Sequence, residues 1–227
     1  MCGREASFYS WQEVVEFSRP LCLATPKQDP TPNYNRAPSQ KAWVLLAEQQ
    51  EVCLRELIWG LASTWTTTKK LTPIVNARAE TAPEKPSFRA AWKRRRCLIP
   101  SSGYYEWQQF ARKQPYFIRP ATAAIFMYAG LWEYNEITGL SSYCILTQPS
   151  RAPIAHIHDR MPVMLPASLL REWLFCSSDA AVQLVQALTP PELDFYPVSV
   201  AVGNVRNQGS DLIAEVAPMR SDDLFGG

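Results

Sequence analysis

Nineteen prolines are spread through a chain of 227 residues, as punctuation between short apolar runs. Proline fixes its own φ and lacks a backbone N–H, so it is kept out of helix interiors and confined to the edges, ends or bulges of sheets. A chain interrupted this often cannot build long helices or a regular alternation of strand and crossover helix. The intervening runs at 42–47, 52–59, 73–77, 97–99, 104–107, 116–119, 125–132, 143–147 and 196–200 are apolar, β-branched or aromatic. They predict many short strands. Ser10-Trp11-Gln12-Glu13 has the form of a capping box and predicts a helix through Phe17. Ser87 is placed to cap a second helix carrying Phe88, Trp92 and several arginines, and leucines at helical spacing predict helices over 167–175 and 179–188. Residues 25–32, with three prolines, read as a surface loop. The expected fold class is α+β: a single domain over 1–216 on a mainly antiparallel, curved, barrel-like sheet with several short peripheral helices. Residues 217–227 are expected to be a tail.

Composition narrows the setting. Hydrophobic residues make up 47% and charged residues 19%, the opposite of the balance a disordered chain needs. No apolar run is long enough to span a bilayer. Met1-Cys2-Gly3-Arg4-Glu5 opens with charges rather than a leader, and glycine stands third rather than second, which argues against myristoylation. A soluble, cytoplasmic protein is expected. The six cysteines are far apart and form no C-x-x-C pair, which argues against a disulfide framework or a zinc site. Five are expected to be reduced core fillers. Cys2 differs, because removal of Met1 would make it the amino terminus.

The formal net charge of +2 is unevenly divided: Lys85 to Arg119 holds nine basic residues against the single acid Glu106, leaving that segment +8 and the rest −6. A solvated face and a footprint for phosphates are both compatible with such a run.

Four segments carry chemistry. An amino-terminal cysteine is a 1,2-aminothiol, whose amine (ordinary pKa about 7.7–8.0) and thiol (about 8.5) are both partly nucleophilic at neutral pH. It can close a thiazolidine ring on an aldehyde, which an internal cysteine cannot. Glu106 lies among aromatics in the basic segment; burial would make it a general acid/base, while a neighbouring arginine would make it half of a structural ion pair. His156 and His158 alternate as strand-borne metal ligands sometimes do, but no cysteine or carboxylate stands at a suitable offset, so no metal or other cofactor is expected. Asn76 and Arg78 share a strand face that suits phosphate or sugar contacts and suits a structural network almost as well.

The ordered set Met1-Cys2-Gly3-Arg4, Tyr34-Asn35-Arg36-Ala37-Pro38, Trp59-Gly60-Leu61, Asn76-Ala77-Arg78-Ala79-Glu80-Thr81, Arg96-Cys97-Leu98-Ile99-Pro100, Gly103-Tyr104-Tyr105-Glu106-Trp107, His158-Asp159-Arg160-Met161-Pro162 and Pro197-Val198-Ser199 with Val202-Gly203-Asn204-Val205 resembles the SOS response-associated peptidase family. Its members include abasic-site processing proteins that crosslink to DNA. The resemblance implies that the mature protein binds single-stranded DNA carrying an abasic site and traps the aldehyde on Cys2. It also implies that Asn76 orients the terminal amine, Glu106 shuttles protons and His158 assists opening of the deoxyribose ring. Arg4, Arg78 and Arg160 would grip phosphates, and Pro38, Trp65 and Trp107 would face bases beside the gap. Two departures from the family pattern stand out. Ala62-Ser63-Thr64 precedes Trp65 where a proline is usual, and Tyr104 replaces a commoner phenylalanine. A thiol peptidase acting on its own Met1-Cys2 bond, with Cys2, His158 and Asn76 as its set, is the alternative reading. A plain single-strand binding module is the third. With no coiled coil or large apolar stripe, a monomer is expected, and no protein partner can be read.

Overall fold

The computed structural model describes residues 2–62, 74–108 and 113–219. In chain order these form β1 (Glu5–Ser7), α1 (Trp11–Phe17), β2 (Asn33–Arg36), β3 (Lys41–Glu48), β4 (Glu51–Trp59), β5 (Asn76–Arg78), α2 (Arg89–Arg94), β6 (Arg96–Ser101) and β7 (Gly103–Gln108). The second half adds β8 (Gln114–Pro120), β9 (Phe126–Asn135), β10 (Leu140–Pro149), β11 (Arg160–Pro162), α3 (Leu170–Phe175), α4 (Ser178–Ala187) and β12 (Leu193–Pro197).

Five strands close on themselves. β3 pairs with β4 and β6, β6 with β9, β9 with β10, and β10 with β4. β5 and β11 attach to β10 beyond this ring. A second sheet runs in the order β12-β8-β7-β1-β2. The α+β class and the curved, barrel-like sheet are therefore as the sequence predicts. Pairing among the described strands is antiparallel except where β10 meets β4 and β5. Parallel neighbours need long connections, and these two are joined through the whole middle of the chain.

The alternation of side chains along the barrel strands builds two cores. All five barrel strands contribute to one, through residues such as Val44, Leu57, Ile99, Tyr128 and Ile145; Tyr104 and Ile118 join it from the second sheet, and Cys2 from the segment before β1. The other lies under the helices and holds Leu45, Leu98, Leu146, Trp92, Trp173 and Leu184. There Trp92 and Trp173 meet edge to face, with ring centroids 5.6 Å apart. A Cβ at Gly103 would strike the Phe117 ring, so glycine is what lets β7 lie close against β8 there.

The predicted capping box is present. The Ser10 hydroxyl accepts from the Glu13 N–H, and the Glu13 carboxylate accepts from the Ser10 N–H at 2.7 Å, an arrangement whose serine alone is worth about 1 kcal/mol. The second helix begins differently: Phe88, not Ser87, occupies its N-cap and no side chain caps it. The last strand spans Leu193–Pro197 rather than 196–200, and Val200 opens a 3-10 turn instead. All six cysteines are free thiols, but only Cys2, Cys97 and Cys144 are buried. Cys22 is exposed, so the core-filler expectation fails there. No helix of the described residues is long and apolar enough to cross a membrane. Most of the expected tail, 220–227, lies outside the described residues.

Candidate active site

Strand β10 is the hub. Parallel pairing sets Ile145 beside Asn76 and Thr147 beside Arg78, while antiparallel pairing sets Pro149 beside Arg160. Two segments more than eighty residues apart in sequence thus meet at one end of the barrel. The second sheet delivers the other half. β1 pairs with β7, and the bond from the Tyr105 N–H to the Arg4 carbonyl (2.9 Å) carries that pairing back towards Cys2.

Cys2 is fully buried, and its carbonyl accepts a hydrogen bond from Asn76 Nδ2 at 2.7 Å. Asn76 therefore grips the residue through its backbone. Its Oδ1 is shielded from solvent and has no partner among the described residues, leaving one acceptor for an N–H donor beside Cys2. Burial pushes the Cys2 thiol well above its ordinary range, and the charges of Glu106 and Glu5 push the same way. The thiol is thus held as S–H and needs a base at the moment of reaction.

Glu106 is 3% exposed, and burial raises its carboxyl to about 7. A group that titrates there is poised to give and take protons at neutral pH. Burial is the largest influence on Glu106, the amino-terminal charge acts against it, and His158 faces it. His158 Nε2 stands 4.0 Å from Glu106 Oε2. His158 Nδ1 accepts from the Arg160 backbone N–H at 2.9 Å and also lies 2.9 Å from Asp159 Oδ1, while Nε2 is the ring nitrogen on the side of Glu106. Burial lowers the His158 pKa and so favours the neutral form.

The cationic set divides. Arg78 is exposed on β5, and its guanidinium makes no ion pair or hydrogen bond among the described residues. Arg160 is not free to meet a phosphate in the same way. It is 9% exposed, forms a bidentate pair with Glu80 at 2.6 and 2.9 Å, and donates to the Thr147 carbonyl at 2.6 Å. Arg4 is also engaged, donating to Asn35 Oδ1 at 2.8 Å and to the Val202 carbonyl at 3.0 Å. Both guanidinium groups are thus engaged within the described residues. Arg160 had a readable clue: alternation puts Glu80 on the same side of the chain as Arg78 and Asn76.

The basic segment divides in the same way. Arg96 is buried and satisfied by the carbonyls of Trp92, Trp173 and Cys176, Arg95 pairs with Glu133 at 2.7 Å, and Arg119 pairs with Asp194. Lys85, Arg89, Lys93 and Arg94 are exposed.

The apolar set is only partly at the site. Trp107 lies on the face of β7 opposite Glu106, packed against the cluster of Tyr105, Phe117 and Val202, because adjacent strand residues point to opposite faces. Pro38 is half-buried in the turn after β2. Trp65 lies outside the described residues, as do Ser63 and Thr64 of the departing loop. The Tyr104 hydroxyl is buried without a partner among the described residues, so the added oxygen has a desolvation cost. His156 is exposed, its Nδ1 2.7 Å from the Pro153 carbonyl, away from His158's role. No group of three metal-ligating side chains occurs among the described residues.

Cys2, Asn76, Glu106 and His158 thus come together at one end of this barrel. The family model for SOS response-associated peptidases matches residues 1–205, and the chain belongs to that family. Among curated proteins it is 34% identical over 223 residues to abasic site processing protein YoqW of Bacillus subtilis, covering 94% of this chain and 99% of that one. It is 31% identical to abasic site processing protein YedK of Escherichia coli, covering 95% and 100%, and 31% identical to HMCES of Xenopus tropicalis, covering 95% and 78%. A crystal structure of a Bacteroides thetaiotaomicron protein superposes with a TM-score of 0.76 at 22% identity, covering 95% of this chain and all of that one. It supports the fold alone.

Proposed function

We propose that this protein, once Met1 is removed, captures the open-chain aldehyde of an abasic site in single-stranded DNA as a thiazolidine on Cys2. The names of its relatives, abasic site processing proteins, supply the substrate class. The observation that carries the chemistry is the placement of Glu106, titrating at about 7, beside the residue that becomes the terminus.

The sequence of steps balances. The Cys2 amine adds to the aldehyde carbon, and protonated Glu106 gives its proton to the departing hydroxyl, yielding an iminium ion, water and the Glu106 carboxylate. The Cys2 sulfur then bonds to the iminium carbon. Its proton passes to the Glu106 carboxylate, and the π pair of the C=N bond becomes the lone pair of the neutral ring amine. A thiol held as S–H by burial suits this order: nitrogen first, sulfur second. Asn76 holds Cys2 by its carbonyl and offers Oδ1 to the new amine. His158, with its proton on Nε2, donates to the sugar oxygen as the deoxyribose ring opens. Arg78 meets phosphate, while Arg160 fixes His158 through its backbone N–H. Hydrolysis of the Met1–Cys2 peptide must come first, and the same set of Cys2, Glu106 and His158 is available for it.

The test is to mix purified protein with a single-stranded oligonucleotide containing one abasic site and weigh the product. The expected mass is that of the protein without Met1 plus the oligonucleotide minus one water. The adduct survives denaturing electrophoresis without a reductant and is absent with an intact strand. Cys2→Ala retains an amine, so it forms only an imine that borohydride must trap. If Cys2→Ala forms an adduct stable without borohydride at wild-type yield, the thiazolidine is wrong.

A further inference from the structure

A second cavity lies beyond the Glu80–Arg160 pair. It has a volume of about 200 Å³ and is walled by Pro83, Pro149, Val182, Val185 and Trp92, with Gln148 in its lining. Gln148 is 7% exposed, yet its Nε2 has no hydrogen-bond partner among the described residues. A buried amide donor without a partner is costly unless something supplies an acceptor. Glu80, also at the rim, is committed to Arg160. Gln148 is therefore the buried polar group of the lining with a donor to spare.

We infer that this cavity takes a nucleobase of the bound strand, near the lesion, with Gln148 reading the base edge. This rests on the proposal that a single strand binds at Cys2. Four observations favour a base. An enclosure of this size fits a single ring system rather than a sugar–phosphate unit. Its walls are mainly apolar, with Arg151 and Gln186 as further polar members, as for bases held out of the stack, and Gln148 presents a donor and an acceptor to an edge. Arg151 in the lining and Lys85 and Arg89 on the adjoining turn and helix are exposed cations suited to the phosphates on either side of a tucked base. Finally, Glu80 follows Arg78 by two residues and Asn76 by four. The mouth therefore lies within about 7 Å of chain from the phosphate-facing arginine and about 14 Å from the residue holding Cys2.

The experiment uses a strand with a tetrahydrofuran residue at the lesion position, which has no aldehyde and cannot be trapped. Binding is followed by fluorescence anisotropy for this strand and for a set in which each neighbouring base in turn is also deleted. In the wild type, deletion at one position weakens binding about tenfold, the scale of a single held base. In Gln148→Leu and in Val185→Trp, which fills the cavity, the same deletion costs less than about twofold. The inference is overturned if no single position shows the penalty in the wild type, or if the penalty persists in both variants. Melting curves check each variant, and Gln148→Leu alone decides the matter if Val185→Trp does not fold. Adduct yield on an aldehyde-bearing strand separates the two proposals. An adduct without the position-specific penalty removes only the cavity, whereas the penalty without an adduct removes only the capture chemistry. A wild type that binds no strand removes both.

Discussion

Two buried glutamates on neighbouring strands have opposite characters. Glu5 on β1 and Glu106 on β7 are 0% and 3% exposed, and the register of those strands places Glu5 opposite Tyr104. Glu5 accepts from Arg36 at 2.8 Å, and Arg36 also donates to the Ser7 hydroxyl. At Glu106 the opposing positive charge is the amino terminus, and a histidine ring whose pKa burial lowers stands 4.0 Å away. Burial raises both carboxyls and a cation opposes it at each, the Arg36 guanidinium at Glu5 and the amino-terminal charge at Glu106, which is left near 7. Enclosure is common to the two. What differs is the kind of cation, a structural guanidinium at one and the amine of the chain's own terminus at the other.

The comparison breaks most visibly in the kinetics. Glu106→Gln keeps shape and hydrogen bonding but cannot move a proton, so the rate of adduct formation with an abasic strand should fall about 10²- to 10⁴-fold. Glu5→Gln should change it by less than about threefold once the fraction folded is accounted for, since Glu5 transfers no proton in the steps above. Single-turnover gel assays compare them directly. Equal losses would mean that the kind of cation does not distinguish the two sites.

Stability should reverse that ranking. Arg36→Met leaves a carboxylate enclosed without its partner and should cost about 3–5 kcal/mol in urea unfolding. Replacing both members, Arg36→Met with Glu5→Leu, should recover most of it, because a buried pair contributes little against an apolar isostere. A single variant as stable as the wild type would mean that Glu5 simply takes up a proton when Arg36 is lost.

These contrasts show how far the sequence alone reaches. The capping box at Ser10 and the alternation of the barrel strands are local, and the chain spells them out. The parallel seam of β10 with β4 and β5 is not local, and no residue pattern within those strands announces a partner more than sixty residues away. At the site, Cys2, Asn76, Glu106 and His158 are legible as residue types with the right chemistry. Whether Glu106 faces an arginine was not, because that depends on which strand lies opposite. Arg4 and Arg160 read as phosphate grips because their acceptors, Asn35 and Glu80, are 31 and 80 residues away. Trp107 follows Glu106 directly on a strand, so its side chain lies on the other face of β7.

The pH dependence of stability sharpens the contrast at smaller scale. The folded Glu106 pKa of about 7 lies above the ordinary value of 4.5. The folded state thus binds this proton more tightly than the unfolded chain does. The resulting stabilisation is fully present below the unfolded value and is lost as pH rises through the folded one. Between about pH 4.5 and 7 the wild type should lose about 2–3 kcal/mol relative to Glu106→Gln. Chemical denaturation at a series of pH values reads the difference. Parallel curves for the two proteins would show that Glu106 does not titrate in this window.

The smallest effect belongs to a third carboxylate, intermediate in environment. Glu80 also has its arginine, but its side chain is 45% exposed. The hydrogen bonds from Arg160 hold its carboxyl below the ordinary range. The contribution is therefore present above the unfolded pKa and lost as pH falls through the lowered folded one, the reverse of Glu106. Solvent screens the pair, so Glu80→Gln should cost at most about 1 kcal/mol at neutral pH. Arg160 keeps its bond to the Thr147 carbonyl, and the N–H that fixes His158 belongs to the backbone, so adduct formation should change by less than about threefold. If Glu80→Gln proved as damaging to stability as Arg36→Met, exposure would not be what separates the two ion pairs. The ordering of all three glutamates by burial and partner would then fail at its most accessible member.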